Sequence, residues 1–556
     1  MMGMKRVLSV GLAVAGFAAY SNAEFDGPAP LAWRWVQAAT SSPVGSPTIL
    51  DGTVYTAVGS RMYALDKATG NQKWKFPLVE PIPGQFKSTV ILTDGMAIAA
   101  ANNKSIYAVD AKTGESKWSY TANAPLYREP VLAGNYIVFA QSDNTLMAIN
   151  VADGQPAWTN PVRNFDGFMG RLASYQSNVF YFNNSYQLVS FSATSQKENW
   201  RQRFSVAGPD VELVNLGDNL YVNSGSYVVG LNAVSGRKIF EANAGDQLAF
   251  APAANGESVL AVSQDGKVYV FGSNGRLLIR KLIDLGSQPS ASPSVAGKYY
   301  AIPTRNGALN LVDPKTGDVI WSYLIRPIGD QTTSNQPPAG GEGGGALGGP
   351  GGRGGGGALG GPGGRGGGGR GGGLGGGGST QTPTRILAVP ASGPAVLDGD
   401  TLMILAQDGS VLAFDKNLGV DLTPPSVKMT WPNPGDLVSG QPPLELIFKI
   451  DDEASGINTK SLKITVGGQE MEHEFGRDGF AIVRISSLGK NKPLTNGRKV
   501  ITVTVSDWLG NTANSVFNLV IDNTLRPLAR PTNDPNIGGG GPAGGGGGGG
   551  IGGSGR

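Results

Sequence analysis

The chain has 556 residues, of which 86 are glycine and 36 are proline, so part of it cannot join a packed core. Its 45 lysines and arginines nearly balance 42 aspartates and glutamates, and a net charge of +3 is too small to imply a nucleic-acid or anionic-membrane partner through bulk electrostatics. Cysteine is absent, which excludes disulfides, zinc–thiolate sites, a thiolate nucleophile and a lipid-bearing N-terminal cysteine.

Residues 1–23 have the pattern of a cleavable secretory signal peptide. The basic pair Lys5 and Arg6 precedes an apolar run over 7–19, and small residues at 21–23 suit a signal peptidase. We therefore expect an exported protein, periplasmic or secreted to the cell surface, with an uncleaved membrane anchor as the alternative. No later segment has about 18 consecutive apolar residues, so we expect no transmembrane segment in the mature chain.

A repeat of 39 to 44 residues follows the signal. Each unit contains four short apolar runs separated by turns, which is the pattern of a four-stranded antiparallel meander. In the third run of the first unit, RMYALD (61–66), both alternating faces are largely apolar. Such a sheet must be covered on both sides, which predicts blades stacked around a common axis.

The units share an Asp, a Gly four residues later and an aromatic residue four residues after the Gly. In the first unit we expect Asp66 to accept hydrogen bonds from the turn, Gly70 to supply a positive φ, and Trp74 to lie across that same turn. The equivalent docking residues of the other well-matched units are Asp110, Gly114, Trp118, Gly154, Trp158, Asp313, Gly317 and Trp321.

The last unit, 393–419, lacks its fourth strand, because Thr423 stands where the aromatic residue is expected. The run LAWRWVQ (31–37) is an unassigned strand near the mature N-terminus, and its Trp35 precedes Trp74 by 39 residues, one repeat length. We therefore predict that this strand completes the last blade of an eight-bladed ring, with Trp35 as its docking residue. The sheet edge is then paired rather than exposed.

The motif Ala-x-Asp-x-x-Thr-Gly-x-x-x-Trp resembles the pyrroloquinoline-quinone-type (PQQ-like) β-propeller repeat, over residues 29–330 (blades one to seven with the closing strand) and 385–422 (blade eight). In its bare blades the chain resembles the propeller subunit of the outer-membrane β-barrel assembly machinery. It departs from that subunit in lacking the lipidated cysteine and in its added segments. The predicted fold class is all-β, an eight-bladed propeller followed by a β-sandwich.

Three further segments differ in composition. Residues 331–384 repeat GGGALGGPGGRG with a period of 12 and predict a disordered, solvated insertion, although Arg-Gly-Gly settings also occur in RNA-binding proteins. Residues 424–524 contain seven strand-like runs and resemble bacterial Ig-like β-sandwich modules. Residues 525–556 predict a disordered, glycine-rich tail.

Two groups of polar residues are candidates for binding. In the Ig-like segment Asp451, Asp452 and Glu453 are weak candidates for a Ca²⁺ site, with a solvated loop as the alternative. Polar residues beside the first strands of units three to five are candidates for a ligand or partner contact at the channel mouth. They are Arg128, Glu129, Arg171, Asp210 and Glu212.

The PQQ-like resemblance also implies an enzymatic alternative, a PQQ-binding oxidoreductase or sensor with Ca²⁺ and a catalytic Asp in the channel. Blades of this length leave no inserted loops to build a pocket that excludes water. The single histidine, His473, has no serine or cysteine partner at a readable spacing.

We therefore expect no catalytic residue and no cofactor. The preferred hypothesis is a non-catalytic, exported and monomeric scaffold that binds envelope or extracellular proteins or glycans and no nucleic acid. The Ig-like module is its accessory binding or spacer unit.

Overall fold

The computed structural model describes residues 25–204, 213–327, 388–476 and 479–530. No helix within these residues is long and apolar enough to cross a bilayer. The strands that precede the C-terminal region are β1 (Leu31–Val36), β2 (Thr48–Leu50), β3 (Thr53–Val58), β4 (Arg61–Asp66), β5 (Gln72–Phe76), β6 (Ile91–Thr93), β7 (Met96–Ala100), β8 (Ser105–Asp110), β9 (Ser116–Thr121), β10 (Val131–Ala133), β11 (Tyr136–Ala140), β12 (Thr145–Asn150), β13 (Val162–Arg163), β14 (Met169–Tyr175), β15 (Asn178–Phe182), β16 (Gln187–Ser192), β17 (Lys197–Arg203), β18 (Leu213–Leu216), β19 (Asn219–Ser224), β20 (Tyr227–Asn232), β21 (Lys238–Asn243), β22 (Leu248–Ala254), β23 (Ser258–Ser263), β24 (Lys267–Gly272), β25 (Ile283–Asp284), β26 (Ser294–Ala296), β27 (Tyr299–Pro303), β28 (Ala308–Val312), β29 (Val319–Leu324), β30 (Val396–Asp398), β31 (Thr401–Leu405) and β32 (Ser410–Phe414).

These strands form eight four-stranded antiparallel sheets, the blades of a propeller. Blades one to seven are built from consecutive sets of four strands, beginning with β2–β5 and ending with β26–β29. Within each of these blades the four strands pair in chain order. Blade eight has the order β1-β32-β31-β30, so the N-terminal strand is its outermost member. First strands of most consecutive blades, such as β10 and β14 or β22 and β26, lie against one another and therefore surround the axis. The prediction of eight blades closed by the N-terminal strand is confirmed.

The apolar core lies between the blades. Between blades eight and one, for example, Trp33 and Met403 pack with Val54 and Leu65 in one buried cluster. Similar clusters join blades one and two, four and five, five and six, and six and seven. A larger cluster joins blades two, three and four. The sheets of blades one to six are therefore covered on both faces, as the doubly apolar third strands require.

A β-bulge determines which aromatic residue of the outermost strand takes the docking position. Pairing shifts just before Trp74, which lies opposite Ala64, and in the same way just before Trp33, which lies opposite Ala413. The prediction of Trp35 as the docking residue of the closing strand is therefore wrong. Repeat lengths vary, and the bulge places Trp33, 41 residues before Trp74, in the equivalent position.

The C-terminal region forms two further sheets. Its strands are β33 (Ser426–Trp431), β34 (Leu437–Val438), β35 (Glu445–Asp451), β36 (Ile457–Val466), β37 (Gln469–Glu470), β38 (Glu474–Phe475), β39 (Phe480–Arg484), β40 (Gly497–Asp507) and β41 (Thr512–Ile521). One sheet has the order β33-β35-β39-β38 and the other β34-β41-β40-β36-β37. Side chains of both, such as Phe448 and Val503, share one buried core, which makes the region a sandwich. Its relation to Ig-like modules stays a prediction.

Candidate functional site

An ion pair joins two of the channel-mouth residues that the sequence predicts. Arg171 lies on β14, the first strand of blade four, and Glu129 lies two residues before β10, the first strand of blade three. The Arg171 Nη1 is 3.3 Å from the Glu129 Oε1, and the Glu129 Oε2 accepts a hydrogen bond of 3.1 Å from the backbone N–H of Thr89 before β6. One carboxylate therefore links the inner ends of blades two, three and four.

The other predicted channel-mouth residues do not join this pair. The exposed guanidinium of Arg128 lies 5.4 Å from the centre of the Tyr127 ring. Asp210 and Glu212 lie outside the described residues. The candidate site is therefore the pair Glu129–Arg171 with its Thr89 contact.

Exposed apolar side chains lie on the same face of the propeller as this pair. Because neighbouring strands alternate in direction, every connection from a fourth strand to the next first strand starts on one face. Leu78 and Val79 on the connection from β5 to β6 are 72% and 75% exposed, and Phe165 between β13 and β14 is 86% exposed. Sequence reasoning missed these residues. The available signal was an apolar pair in the Pro-rich connection PLVEPIPG.

We call the surface formed by Leu78, Val79, Glu129, Phe165 and Arg171 the docking face. It combines a charged pair near the axis with exposed apolar groups farther out. The guanidinium of Arg163 lies 5.5 Å from the centre of the Phe165 ring, so cationic and aromatic groups coincide there. Such a mixture is typical of a protein-binding surface.

The docking turns have the expected local chemistry. The Asp66 Oδ1 accepts hydrogen bonds from the backbone N–H groups of Ala68 (3.1 Å) and Thr69 (3.0 Å), and Asp110 and Asp313 accept equivalent bonds. Gly70 has a φ of 71°. The Asp therefore closes a turn that requires a left-handed residue.

The aromatic residue, however, docks on the next blade rather than on its own turn. The Trp74 indole N–H donates to the carbonyl oxygen of Ala111 at 2.9 Å, and a Cβ added to Gly114 would lie 2.7 Å from the Trp74 ring. Trp33 covers Gly70 in the same way. The expectation that Trp74 lies across the Asp66–Gly70 turn is therefore wrong. Similar contacts to the following blade are made by Trp118 to Gly154, Trp158 to the Ala193 carbonyl, Trp200 to Gly236, Phe240 to Gly275 and Ile279 to Gly317.

Trp321 is the exception in this series, because the acceptor of its indole N–H lies outside the propeller blades. It donates to the carbonyl oxygen of Ser455, in the sandwich, at 3.0 Å. The hydroxyl of Tyr323 donates to the carbonyl of Glu453 at 2.8 Å, and the indole N–H of Trp508 donates to the carbonyl of Ser322 at 3.0 Å. The sandwich loop therefore occupies the position that the next docking turn takes elsewhere.

The closing strand contacts the same loop. The backbone N–H of Leu31 donates to the carbonyl of Ala454 at 2.7 Å, and Arg326 forms an ion pair of 2.6 Å with Asp451. Blade seven, the closing strand of blade eight and the sandwich thus meet at one junction, which we call the ring–sandwich junction (residues 31, 321–326, 451–456 and 508).

The three carboxylates that were weak Ca²⁺ candidates do not come together. Asp451 pairs with Arg326, and Glu453 contributes its carbonyl to Tyr323. Asp452 instead converges with Asp421 and Asp507, and one carboxylate oxygen from each lies within 4.8 Å of the others. Oxygen donors of this kind suit Ca²⁺, so these three residues are the metal-ligand candidates among the described residues. Sequence reasoning missed Asp421 and Asp507, because neither is close to Asp452 in the chain.

Replacing Asp452 by Asn is expected to flatten the dependence of stability on pH. Burial raises the pKa of Asp452 above its usual 3.8, and the charges of Asp421 and Asp507 add to the shift. Because the folded chain then holds a proton that the unfolded chain releases, stability falls as pH rises above about 4. Urea unfolding with a chelator, from pH about 4 to about 7, should show a smaller loss for Asp452→Asn than for the wild type. A larger loss in the variant contradicts this prediction.

Comparison with known proteins places these features in a family context. A family model described as "Outer membrane protein assembly factor BamB" matches residues 30–227 and 214–336. The BamB of Shewanella oneidensis is 23% identical over 371 residues, covering 58% of this chain and 92% of the relative. Among solved structures, BamB from Moraxella catarrhalis has a TM-score of 0.49 and 13% identity, covering 69% and 99% of the two chains. A europium-containing methanol dehydrogenase has a TM-score of 0.40 and 13% identity, covering 52% and 80%.

Proposed function

Because the chain belongs to the family of the outer membrane protein assembly factor BamB, we propose that it is a non-catalytic scaffold of the cell envelope. It is exported by a cleaved signal peptide and assists the assembly of outer membrane proteins by holding a partner protein. The propeller is the binding module, and the sandwich is an Ig-like accessory unit. No cofactor takes part in this function.

The observation that carries this proposal is the composition of the docking face. The ion pair Glu129–Arg171 holds three blades in a fixed register near the axis, while Leu78, Val79 and Phe165 leave apolar side chains in solvent. Large apolar groups left in solvent on the same face as a preorganised charge pair are characteristic of an interaction surface. Aromatic residues and arginine are the types most often found at the energetic centre of protein interfaces.

The ring–sandwich junction supports a fixed orientation of the accessory unit. Three side chains, Trp321, Tyr323 and Trp508, donate hydrogen bonds across it, and Trp321 is completely buried. An accessory unit attached in this way presents its own surface at a constant angle to the propeller. We therefore propose a rigid second contact surface rather than a flexible spacer.

Substitutions on the docking face test the proposal by cross-linking. The mature chain is retained on beads, incubated with a detergent extract of the envelope and cross-linked. Phe165→Ser combined with Arg171→Glu should lower partner recovery by about 30-fold, the effect of losing roughly 2 kcal/mol of interface energy. The matched control is Val234→Ser, which removes another exposed apolar group, on the docking-turn side of blade five.

Two outcomes contradict the proposed function. One is equal recovery of the same envelope proteins by the wild type and the docking-face variant. The other is tight, stoichiometric uptake of PQQ with Ca²⁺ by the purified wild type, measured by absorbance and thermal shift. The second outcome supports the oxidoreductase or sensor alternative instead.

A further inference from the structure

The outer segment of blade six exposes leucines beside basic side chains. Leu278 is 48% exposed and Leu282 is 63% exposed, and Leu277 before them is partly exposed as well. Arg276, Arg280 and Lys281 are also exposed, and the stretch 276–283 contains no acidic residue. We call this stretch the blade-six rim.

The backbone of the blade-six rim fixes which side chains face outward. Ile279 packs on Gly317 of the blade-seven docking turn, and Ile283 is buried in the core between blades six and seven. Regular strand pairing within the rim is confined to Ile283, the first residue of β25. Because the isoleucines anchor the inner side, Leu278 and Leu282 cannot turn inward without breaking that core.

Two of the three positive charges of the rim, those of Arg276 and Arg280, are available for a ligand. The Lys281 Nζ pairs with the Asp318 Oδ1 at 2.7 Å, which ties the rim to blade seven. Within the described residues, the guanidinium groups of Arg276 and Arg280 contact no acidic side chain.

We propose that the blade-six rim binds the surface of an anionic lipid bilayer. Leucine side chains enter the boundary of the acyl chains, while each guanidinium binds lipid phosphates with paired hydrogen bonds. Free basic groups near an anionic surface each strengthen binding about fivefold, corresponding to ~1 kcal/mol. The chain has no cysteine to carry a lipid, so this rim provides a peripheral contact that needs no covalent anchor.

Vesicle binding by the mature full-length chain tests this proposal. The probes are vesicles of phosphatidylcholine alone and of phosphatidylcholine mixed with phosphatidylglycerol. Wild type should co-sediment with the mixed vesicles, and added salt should weaken binding because the Debye length falls below ~10 Å. Absence of co-sedimentation with the mixed vesicles at low salt overturns the proposal.

Matched variants separate the rim from general surface charge. Arg276→Gln with Arg280→Gln should lower partitioning onto mixed vesicles by about 25-fold, from about fivefold per guanidinium. Lys197→Gln with Arg203→Gln, which removes two exposed cations from the outermost strand of blade four, should change it little. All four residues are exposed, so thermal midpoints should stay the same. Equal losses in both double variants would mean that net charge, not the rim, determines binding.

A fluorescent label reports whether the leucines enter the lipid. The native chain contains no cysteine, so Leu278→Cys gives one labelling site for an environment-sensitive dye. Its emission should shift to shorter wavelength on mixed vesicles, whereas a dye at Leu488→Cys, on a sandwich loop where Leu488 is 96% exposed, should not shift.

The mature chain is also tested in detergent without lipid. If it retains an envelope protein there, and Arg276→Gln with Arg280→Gln abolishes this retention, the rim is a protein-docking surface instead. The docking face lies on blades one to four, so failure of the rim experiment leaves the proposed function unaffected.

Discussion

Trp321→Ala should lower the free energy of unfolding by about 3–5 kcal/mol, the usual cost of deleting a buried tryptophan. The side chain is completely buried and packs edge-on against Phe414, with ring centres 5.0 Å apart. Its indole N–H is bonded to the Ser455 carbonyl, which is left without this donor in the variant. Urea unfolding followed by circular dichroism gives the loss directly.

Trp35→Ala is the matched control for this experiment. Trp35 also lies on an outermost strand, but it is only partly buried and packs at a tilt of 59° against Tyr63, with ring centres 4.8 Å apart. Because folding buries less apolar area at Trp35 than at Trp321, Trp35→Ala should lower the free energy of unfolding by clearly less than Trp321→Ala does. Equal losses for the two variants would show that the ring–sandwich junction adds nothing beyond ordinary packing of an aromatic residue.

The ring itself was predictable, because its information is local and repeated. Asp66, Gly70 and Trp74 recur at constant spacing, and each requires a particular turn or a particular covering group. Counting these units, with the unmatched strand 31–37 left over, leads directly to eight blades and closure by the N-terminal strand.

The partner of each aromatic residue was not predictable from the repeat. The repeat shows that Trp and Gly alternate along the chain, but it does not indicate whether a Trp covers the glycine before it or the glycine after it. The choice between Trp33 and Trp35 depends on a one-residue bulge, which leaves no mark in the spacing. The contact of Trp321 with Ser455 joins residues 134 positions apart, in regions with unrelated patterns.

The candidate site was predictable to a similar extent. Glu129 and Arg171 follow from equivalent positions in consecutive units, which the ring brings to one rim. Phe165 was missed because exposure of a single apolar residue in a connection has no sequence signature. The approach of Asp421 and Asp507 to Asp452 was missed because it depends on how the sandwich folds.

Gly154→Ala should destabilise the chain much more than Gly52→Ala, although both glycines have a φ of 69°. A methyl group at Gly52 meets no atom within 4 Å, so only backbone strain of about 1–2 kcal/mol is expected. At Gly154 the new Cβ would lie 2.6 Å from the Trp118 ring. Displacing that ring adds about 1–3 kcal/mol of overpacking cost.

The difference in unfolding free energy between the two glycine variants measures inter-blade docking alone. The backbone strain cancels because both glycines have the same φ. Unfolding free energies from urea titration of both variants supply it. In a Trp118→Ala background the ring is gone and the methyl group has room. Gly154→Ala should then cost less stability than it does in the wild type, whereas Gly52→Ala should cost the same. If instead both glycine variants lower the free energy of unfolding equally, the Trp118 ring must move away from the methyl group without an energetic cost. Contact between Trp118 and the next blade then contributes little to holding the ring closed.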